Sequence, residues 1–193
     1  MHHIYTTKAF IIKGLATGEA NKYYLLLTCD LGFIKATAQG VRLQKSKLKG
    51  HLQDYLLASL SLVRGRDVWR VVGAETLEYI SVSDTSKLIA IKNTFSLLLR
   101  LLHGEEKNEA LFNSVESFYN FLLKNELSVD DIHNLETITV LRILYHLGYF
   151  KKSFDLFDFV MDNDLSVKKL NLFDDKKKMA ILDINNALKE SHL

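Results

Sequence analysis

The chain has 193 residues, 48% of them hydrophobic and 25% charged, a balance that can bury a core and excludes general disorder. The net charge of +2 hides an asymmetry: residues 1–80 carry 11 Lys and Arg against 6 Asp and Glu, whereas residues 81–193 carry 14 against 17. The single cysteine, Cys29, excludes an internal disulfide and a multi-cysteine zinc site, and no apolar run approaches the roughly 18 residues that cross a bilayer.

The first 80 residues read as strands. Ile4 to Lys13 is β-branched and aromatic-rich, and Gly14 is expected to stop it. Tyr23 to Thr28 follows, with a turn signal at Asp30-Leu31-Gly32. From Phe33 to Ala38 the pattern alternates, with Phe33, Lys35 and Thr37 on one face and Ile34, Ala36 and Ala38 on the other. Tyr55 to Val63 and Val68 to Tyr79 are two further runs, joined by Arg64-Gly65-Arg66-Asp67. There is no proline, so turns fall to Gly, Asn and Asp. Short strands with mostly tight turns predict a five-stranded OB-fold barrel.

After Ser83 the period becomes helical. Asp84 is the expected cap of a helix carrying Leu88, Ile91, Phe95, Leu98, Leu99 and Leu102. A second helix is expected over Glu109–Leu123, and a third over Asp130–Leu147 with Gly148 as its stop. Phe150–Met161 is expected to hold a short helix, Asn163–Phe173 is ambiguous, and Asp174 is expected to cap a last helix through Leu188. The fold class is therefore α+β, with a barrel at 1–80 and a helical domain at 81–193.

Enzyme signatures are poor. The histidines show no H-E-x-x-H spacing, there is no G-x-S-x-G elbow, and Glu19 after Gly18 would repel a phosphate. No catalytic residue, metal or cofactor is expected. The strongest local feature is the segment from Gly40 to Gly50, where Arg42, Lys45, Lys47 and Lys49 fall within eight residues. Acids are missing there until Asp54, and Ser46 adds a neutral donor. Such a segment reads as a solvated basic loop or, on an OB-fold, as a phosphate contact. Lys35, Arg64, Arg66 and Arg70 add to the charge, and Trp69 is either a core residue or a stacking face. The absence of an apolar leader and of paired cysteines points to a reducing, cytoplasmic setting without a membrane partner.

The order of these features resembles the bacterial RecO family of recombination mediators and DNA-repair proteins. The resemblance rests on Glu19-Ala20-Asn21-Lys22 leading to Thr28, then Gly32, then Ala38-Gln39-Gly40-Val41-Arg42. Ser46-Lys47-Leu48-Lys49-Gly50-His51-Leu52-Gln53 continues it, as do Glu109-Ala110-Leu111-Phe112, Leu141-Arg142-Ile143-Leu144 and Leu147-Gly148-Tyr149. Gln39 stands where the family commonly has Lys, Asp54 where it has Pro, and the four-cysteine zinc module of many members is missing.

The resemblance implies binding of single- and double-stranded DNA, annealing of complementary strands, and a bacterial nucleoid location. It also implies engagement of the C-terminal tail of single-stranded-DNA-binding protein (SSB), and cooperation with RecR in loading RecA. Lys35, Arg42, Lys45, Ser46, Lys47, Lys49, Arg64, Arg66 and Arg70 would then meet DNA. Arg142, His146, Tyr149, Lys151 and Lys152 would receive the acidic SSB tail, or would be an ordinary helix end. An OB-fold RNA-binding protein, or a barrel-plus-bundle interaction protein without DNA binding, are the alternatives.

Overall fold

The computed structural model describes residues 3–81, 84–150, 154–162 and 164–190. Alternating inward side chains roll the first region into a closed barrel. Its strands are β1 (Ile4–Thr17), β2 (Asn21–Thr28), β3 (Gly32–Ala38), β4 (Leu57–Arg64) and β5 (Trp69–Glu78), in the order β1-β2-β3-β5-β4. This is the barrel expected from the strand pattern. All pairings are antiparallel except β3 with β5, which meet in parallel at Ala36–Trp69 and Thr37–Arg70. Tyr24, Leu26, Ile34, Ala36, Leu60 and Val71 are among the side chains that fill the interior.

Contrary to the expectation, Gly14 does not end β1; the strand runs three residues further. A Cβ at Gly14 would sit 2.7 Å from the Tyr24 ring and 3.2 Å from Asp54 Oδ1, so glycine here admits close neighbours rather than a turn. Its N–H donates to Asp54 Oδ1 at 2.9 Å.

The chain forms two compact units, Met1–Ser81 with Leu102–Glu109, and Val82–Leu101 with Ala110–Leu193. The segment 102–109 thus returns to the barrel after a helix has been made. Gly32 receives it: at φ +70°, a Cβ there would lie 2.1 Å from the Glu106 carbonyl oxygen. Lys107 Nζ lies 3.6 Å from Asp30, which also accepts from Thr7 Oγ1 at 2.7 Å.

The second unit is helical: α1 (Thr85–Leu101), α2 (Glu109–Lys124), α3 (Val129–His146), α4 (Phe157–Met161), α5 (Val167–Phe173) and α6 (Lys177–Glu190). Apolar stripes such as Ile91, Phe95 and Leu98 on α1, and Leu111, Val115 and Phe118 on α2, are buried. α3 begins on Ser128, whose hydroxyl accepts the Asp131 N–H while the Asp131 carboxylate accepts the Ser128 N–H. It ends as expected at Gly148, with φ +79°. There Gly148 N–H donates to Tyr145 O and Tyr149 N–H to Leu144 O, a paired stop that needs the left-handed residue.

Asp174 does not cap the last helix. Its carboxylate accepts from Asn134 Nδ2 at 2.5 Å, a buried amide on α3 that also donates to Leu170 O, and a 3-10 turn over Asp174–Lys176 leads into α6. The ambiguous stretch resolves into α5, started by the Ser166 hydroxyl on Lys169 N–H.

Candidate nucleic-acid interface

Between β3 and β4 the chain makes successive three-residue turns, with Leu43 N–H on Gly40 O, Ser46 on Leu43, Lys49 on Ser46 and His51 on Leu48. This winding sorts the side chains. Val41, Leu52 and Leu56 point into the barrel core, with Leu48 packed against it, so the segment plugs one end of the barrel. Arg42, Lys45, Lys47 and Lys49 stay exposed, with Ser46 half-buried among them.

The start of the segment is pinned to the tip between β1 and β2. Arg42 N–H donates to Ala20 O at 2.9 Å, Arg42 Nη1 to Gly18 O at 2.8 Å, and Gly40 N–H to Asn21 Oδ1 at 2.8 Å. Among the described residues Lys45, Lys47 and Lys49 have no acidic partner.

Register fixes where the other cations lie along the barrel. Thr17 pairs with Asn21, Lys22 with Ala38, Thr37 with Arg70, and Arg64 with Trp69. The tip at 18–20 and the start of the basic segment therefore share one end of the barrel, whereas the pairing of Ile4 with Val63 puts the tip at 65–68 toward the other end, on the side of the β2–β3 turn. On the outer face of β1–β2–β3, Lys13, Leu25 and Lys35 lie in one row, and Leu15, Tyr23, Thr37 and Arg70 in the next. The sequence pattern had not singled out Lys13, Lys22 or Tyr23. The signal was available: once Tyr24 and Leu26 are assigned inward, Tyr23 must face outward, beside the Lys35 row.

Not every predicted cation is free. Arg64 Nη1 donates to both carboxylate oxygens of Glu105, at 2.8 and 2.6 Å, and the guanidinium lies 4.8 Å from the Trp69 ring centre. Trp69 is only 5% exposed and meets Tyr5 edge-on at 5.2 Å. It is thus a core residue under a cation, and not a stacking platform for bases. Arg66 and Arg70 are exposed, with no acidic partner among the described residues.

Where the basic segment meets the barrel there is a cleft of about 450 Å³. Lys22, Arg42 and Lys49 give it positive charge, Tyr24, Val41 and Leu52 an apolar wall, and Gln53 and Asp54 a polar edge. Burial, and then the Asp54 carboxylate, push the Tyr24 phenol up to about 12, so it stays protonated and uncharged. Tyr55 is raised for the same two reasons and holds φ +72°, its N–H on Ile11 O at 2.7 Å.

The residues proposed for an acidic tail are distributed differently. Arg142 is 1% exposed; Nε donates to Phe159 O at 2.9 Å and Nη2 to Asp162 O. It ties α3 to the end of α4, and its buried guanidinium presents no fork to a ligand. Burial pushes it down to about 10, with Asp162 opposing. His146 lies 3.1 Å from Ser114 Oγ, and burial, then the Arg142 charge, lowers its pKa and favours the neutral ring. Tyr149 is exposed. Lys151 and Lys152 lie outside the described residues. Among the described residues no group of three or more His, Cys, Asp or Glu can hold a metal, and no helix is long and apolar enough to cross a membrane.

Residues 1–80 match the family model described as "Recombination protein O N terminal". The chain is 34% identical over 112 residues to the DNA repair protein RecO of Dehalococcoides mccartyi (strain ATCC BAA-2266), covering 57% of this chain and 44% of that protein. To the same-named protein of Gloeothece citriformis it is 34% identical over 114 residues, covering 58% and 40%. To that of Trichodesmium erythraeum it is 28% identical over 150 residues, covering 76% and 52%. The chain spans about half the length of the curated relatives it matches, or less.

Proposed function

The chain belongs through its N-terminal domain to the RecO family of DNA repair proteins, and on that premise we propose that its barrel binds single- and double-stranded DNA through phosphates, without reading bases. The observation that carries this reading is the run of exposed cations at 42–49, lacking acidic partners, on a segment anchored to the barrel by its own apolar residues. Cations held on a fixed backbone displace condensed counterions from any strand, and such binding tolerates every sequence. The two outer rows, Lys13 and Lys35 in one and Tyr23, Thr37 and Arg70 in the next, extend the track along the face that OB-folds use for oligonucleotides.

In this reading the protein anneals complementary strands, since charge neutralisation without base contacts leaves the base edges free to pair. It acts in recombination and DNA repair beside SSB and RecR, upstream of RecA, and needs no catalytic residue. Contact with an SSB tail would fall to Tyr149 and the chain after it, with Arg142 acting only through the fold.

Fluorescence anisotropy with a labelled single strand, at two salt concentrations, tests the core of the proposal. Affinity should fall steeply with salt and be shared by duplex DNA. An RNA strand of equal length that binds much more tightly would favour the RNA alternative. Salt-independent binding, or none, would remove nucleic acid as the ligand.

A further inference from the structure

Each cation of the basic segment is an inner residue of one turn. Arg42 lies between Gly40 and Leu43, Lys45 between Leu43 and Ser46, Lys47 between Ser46 and Lys49, and Lys49 between Leu48 and His51. Where these charges stand therefore depends on how the winding is held at its two ends. The start is held by directed hydrogen bonds, Gly40 N–H on Asn21 Oδ1 and Arg42 N–H on Ala20 O. Further along, Leu48 and Leu52 pack with the barrel core. Apolar burial is non-directional: it keeps the segment on the barrel without fixing how its turns are rotated.

The last turn closes on the His51 N–H, and the His51 ring then links the segment to β5. Its Nδ1 lies 2.9 Å from Thr76 Oγ1 and accepts the Thr76 N–H at 3.2 Å. To accept that bond, Nδ1 must be the unprotonated ring nitrogen. Thr76 faces Ala58 of β4 on one edge, while on the other edge β3 pairs with β5 only at Trp69 and Arg70, before Thr76 is reached. The ring thus supplies the acceptor that a half-buried backbone donor needs where the neighbouring strand has ended. Beyond this point Asp54 accepts from Gly14 and Tyr55 N–H donates to Ile11 O, both on β1, so the His51 ring is the directed link nearest the lysines.

We propose that His51 is a positioning residue of the nucleic-acid interface: by accepting the Thr76 N–H it fixes the turns that carry Lys45, Lys47 and Lys49, so that phosphates meet cations already in place. The inference rests on the nucleic-acid reading above and adds the means by which its cations are ordered. His51 is half-buried with Nδ1 occupied, and it acts through the lysines without touching the strand. A segment ordered before binding avoids the entropy that a loose one loses on each encounter. The number of counterions displaced is set by the cations, so the salt slope does not depend on His51.

Two variants of the full chain separate this role from others. His51→Ala deletes the acceptor and keeps every cation; His51→Asn restores an acceptor, because its Oδ1 is bonded to Cγ as Nδ1 is. Anisotropy with a labelled single strand is recorded at several salt concentrations. His51→Ala should weaken binding about three- to tenfold at each of them with the slope unchanged, and His51→Asn should stay within about twofold of the unaltered protein. Amide hydrogen exchange followed by NMR supplies a readout without DNA. Thr76 and residues 45–49 should lose protection in His51→Ala and regain it in His51→Asn, while the amides of β2 keep theirs and show the barrel folded.

If His51→Ala binds as tightly as the unaltered protein, His51 positions nothing and the inference fails while DNA binding stands. A flatter slope in His51→Ala would make the ring a phosphate contact, and a loss that His51→Asn does not restore would make it a packing residue; either result overturns the positioning role. If no form binds a strand at any salt concentration, the nucleic-acid reading falls. Exchange then decides the link to β5 by itself: protection that follows the acceptor keeps it, and protection that ignores the acceptor removes it.

Discussion

The two units distribute their free cations differently. In the barrel unit Lys45, Lys47, Lys49, Arg66 and Arg70 are exposed and lack acidic partners among the described residues. In the helical unit Lys169 Nζ lies 3.0 Å from Asp162, Lys176 3.4 Å from Asp155, and Lys87 3.2 Å from Asp84, and Arg142 is sealed against two carbonyls, while the exposed Arg100, Lys124, Lys168, Lys178 and Lys189, without acidic partners among the described residues, are scattered along the chain and not gathered in one segment. A charge tally along the sequence treats these groups alike. What separates them is whether the charge has already been used by the fold. An engaged cation contributes to stability and little to recruitment; a free one does the reverse.

The sharpest way to break that comparison is to truncate the engaged arginine. Arg142→Ala should cost about 3–5 kcal/mol, because two carbonyls lose charged donors and a buried cavity opens. Denaturant unfolding measures it, and a change within about 0.5 kcal/mol would mean that Arg142 is as free as the barrel lysines. A labelled SSB tail peptide should bind the folded fraction of this variant unchanged.

Gly32→Ala comes next, at about 2–4 kcal/mol. The left-handed conformation alone costs a side-chain-bearing residue about 1–2 kcal/mol, and the new methyl meets the Glu106 backbone. Because the same segment carries Glu105, the variant should also release Arg64. A thermal melt gives the first effect, and a steeper salt dependence of DNA binding gives the second.

Removing free cations should do the opposite of removing Arg142. Lys45→Ala, Lys47→Ala and Lys49→Ala together should leave stability within about 0.5 kcal/mol. They should flatten the salt slope on single strands by about 0.7 for each phosphate that is no longer neutralised. Arg42 is left out of this variant because it also holds the 18–20 tip. An unchanged slope would take the segment out of the interface.

The smallest effect is a pH dependence in the helical unit. Burial and Arg142 lower the His146 pKa, so as pH falls below histidine's ordinary 6.5 the unfolded chain takes up a proton before the folded one does. Stability should therefore decline from that pH downward until the folded ring also protonates. His146→Gln should remove that part of the decline in unfolding curves recorded at several pH values.

The barrel was legible because its strands alternate, and β3 shows why: Ile34, Ala36 and Ala38 recur at every second position, and all three are buried. The exposed charge at 42–49 was legible from the lack of nearby acids. Pairings across long sequence separations were not. Nothing near Arg64 announces Glu105, 41 residues on, and nothing near Arg142 announces the carbonyls of Phe159 and Asp162. An arginine within Leu-Arg-Ile-Leu carries the same local pattern whether it faces water or a helix end. Gly14 misled for a related reason: a glycine that terminates a strand and one that makes room for a tyrosine ring look identical until the ring is placed.

The return of residues 102–109 to the barrel has a consequence for how the protein is made. All five strands have left the ribosome once residue 78 is clear, yet the last piece of the same unit is encoded beyond an entire helix. Until that piece arrives, Gly32 lacks its covering backbone, and Arg64 and Asp30 lack Glu105 and Lys107. The nascent barrel is therefore a complete sheet with an unfinished surface, more positive beside Arg64 than the finished one. A gene cut after residue 81 would produce that unfinished form permanently, and its behaviour toward polyanions would misreport the protein from which it came.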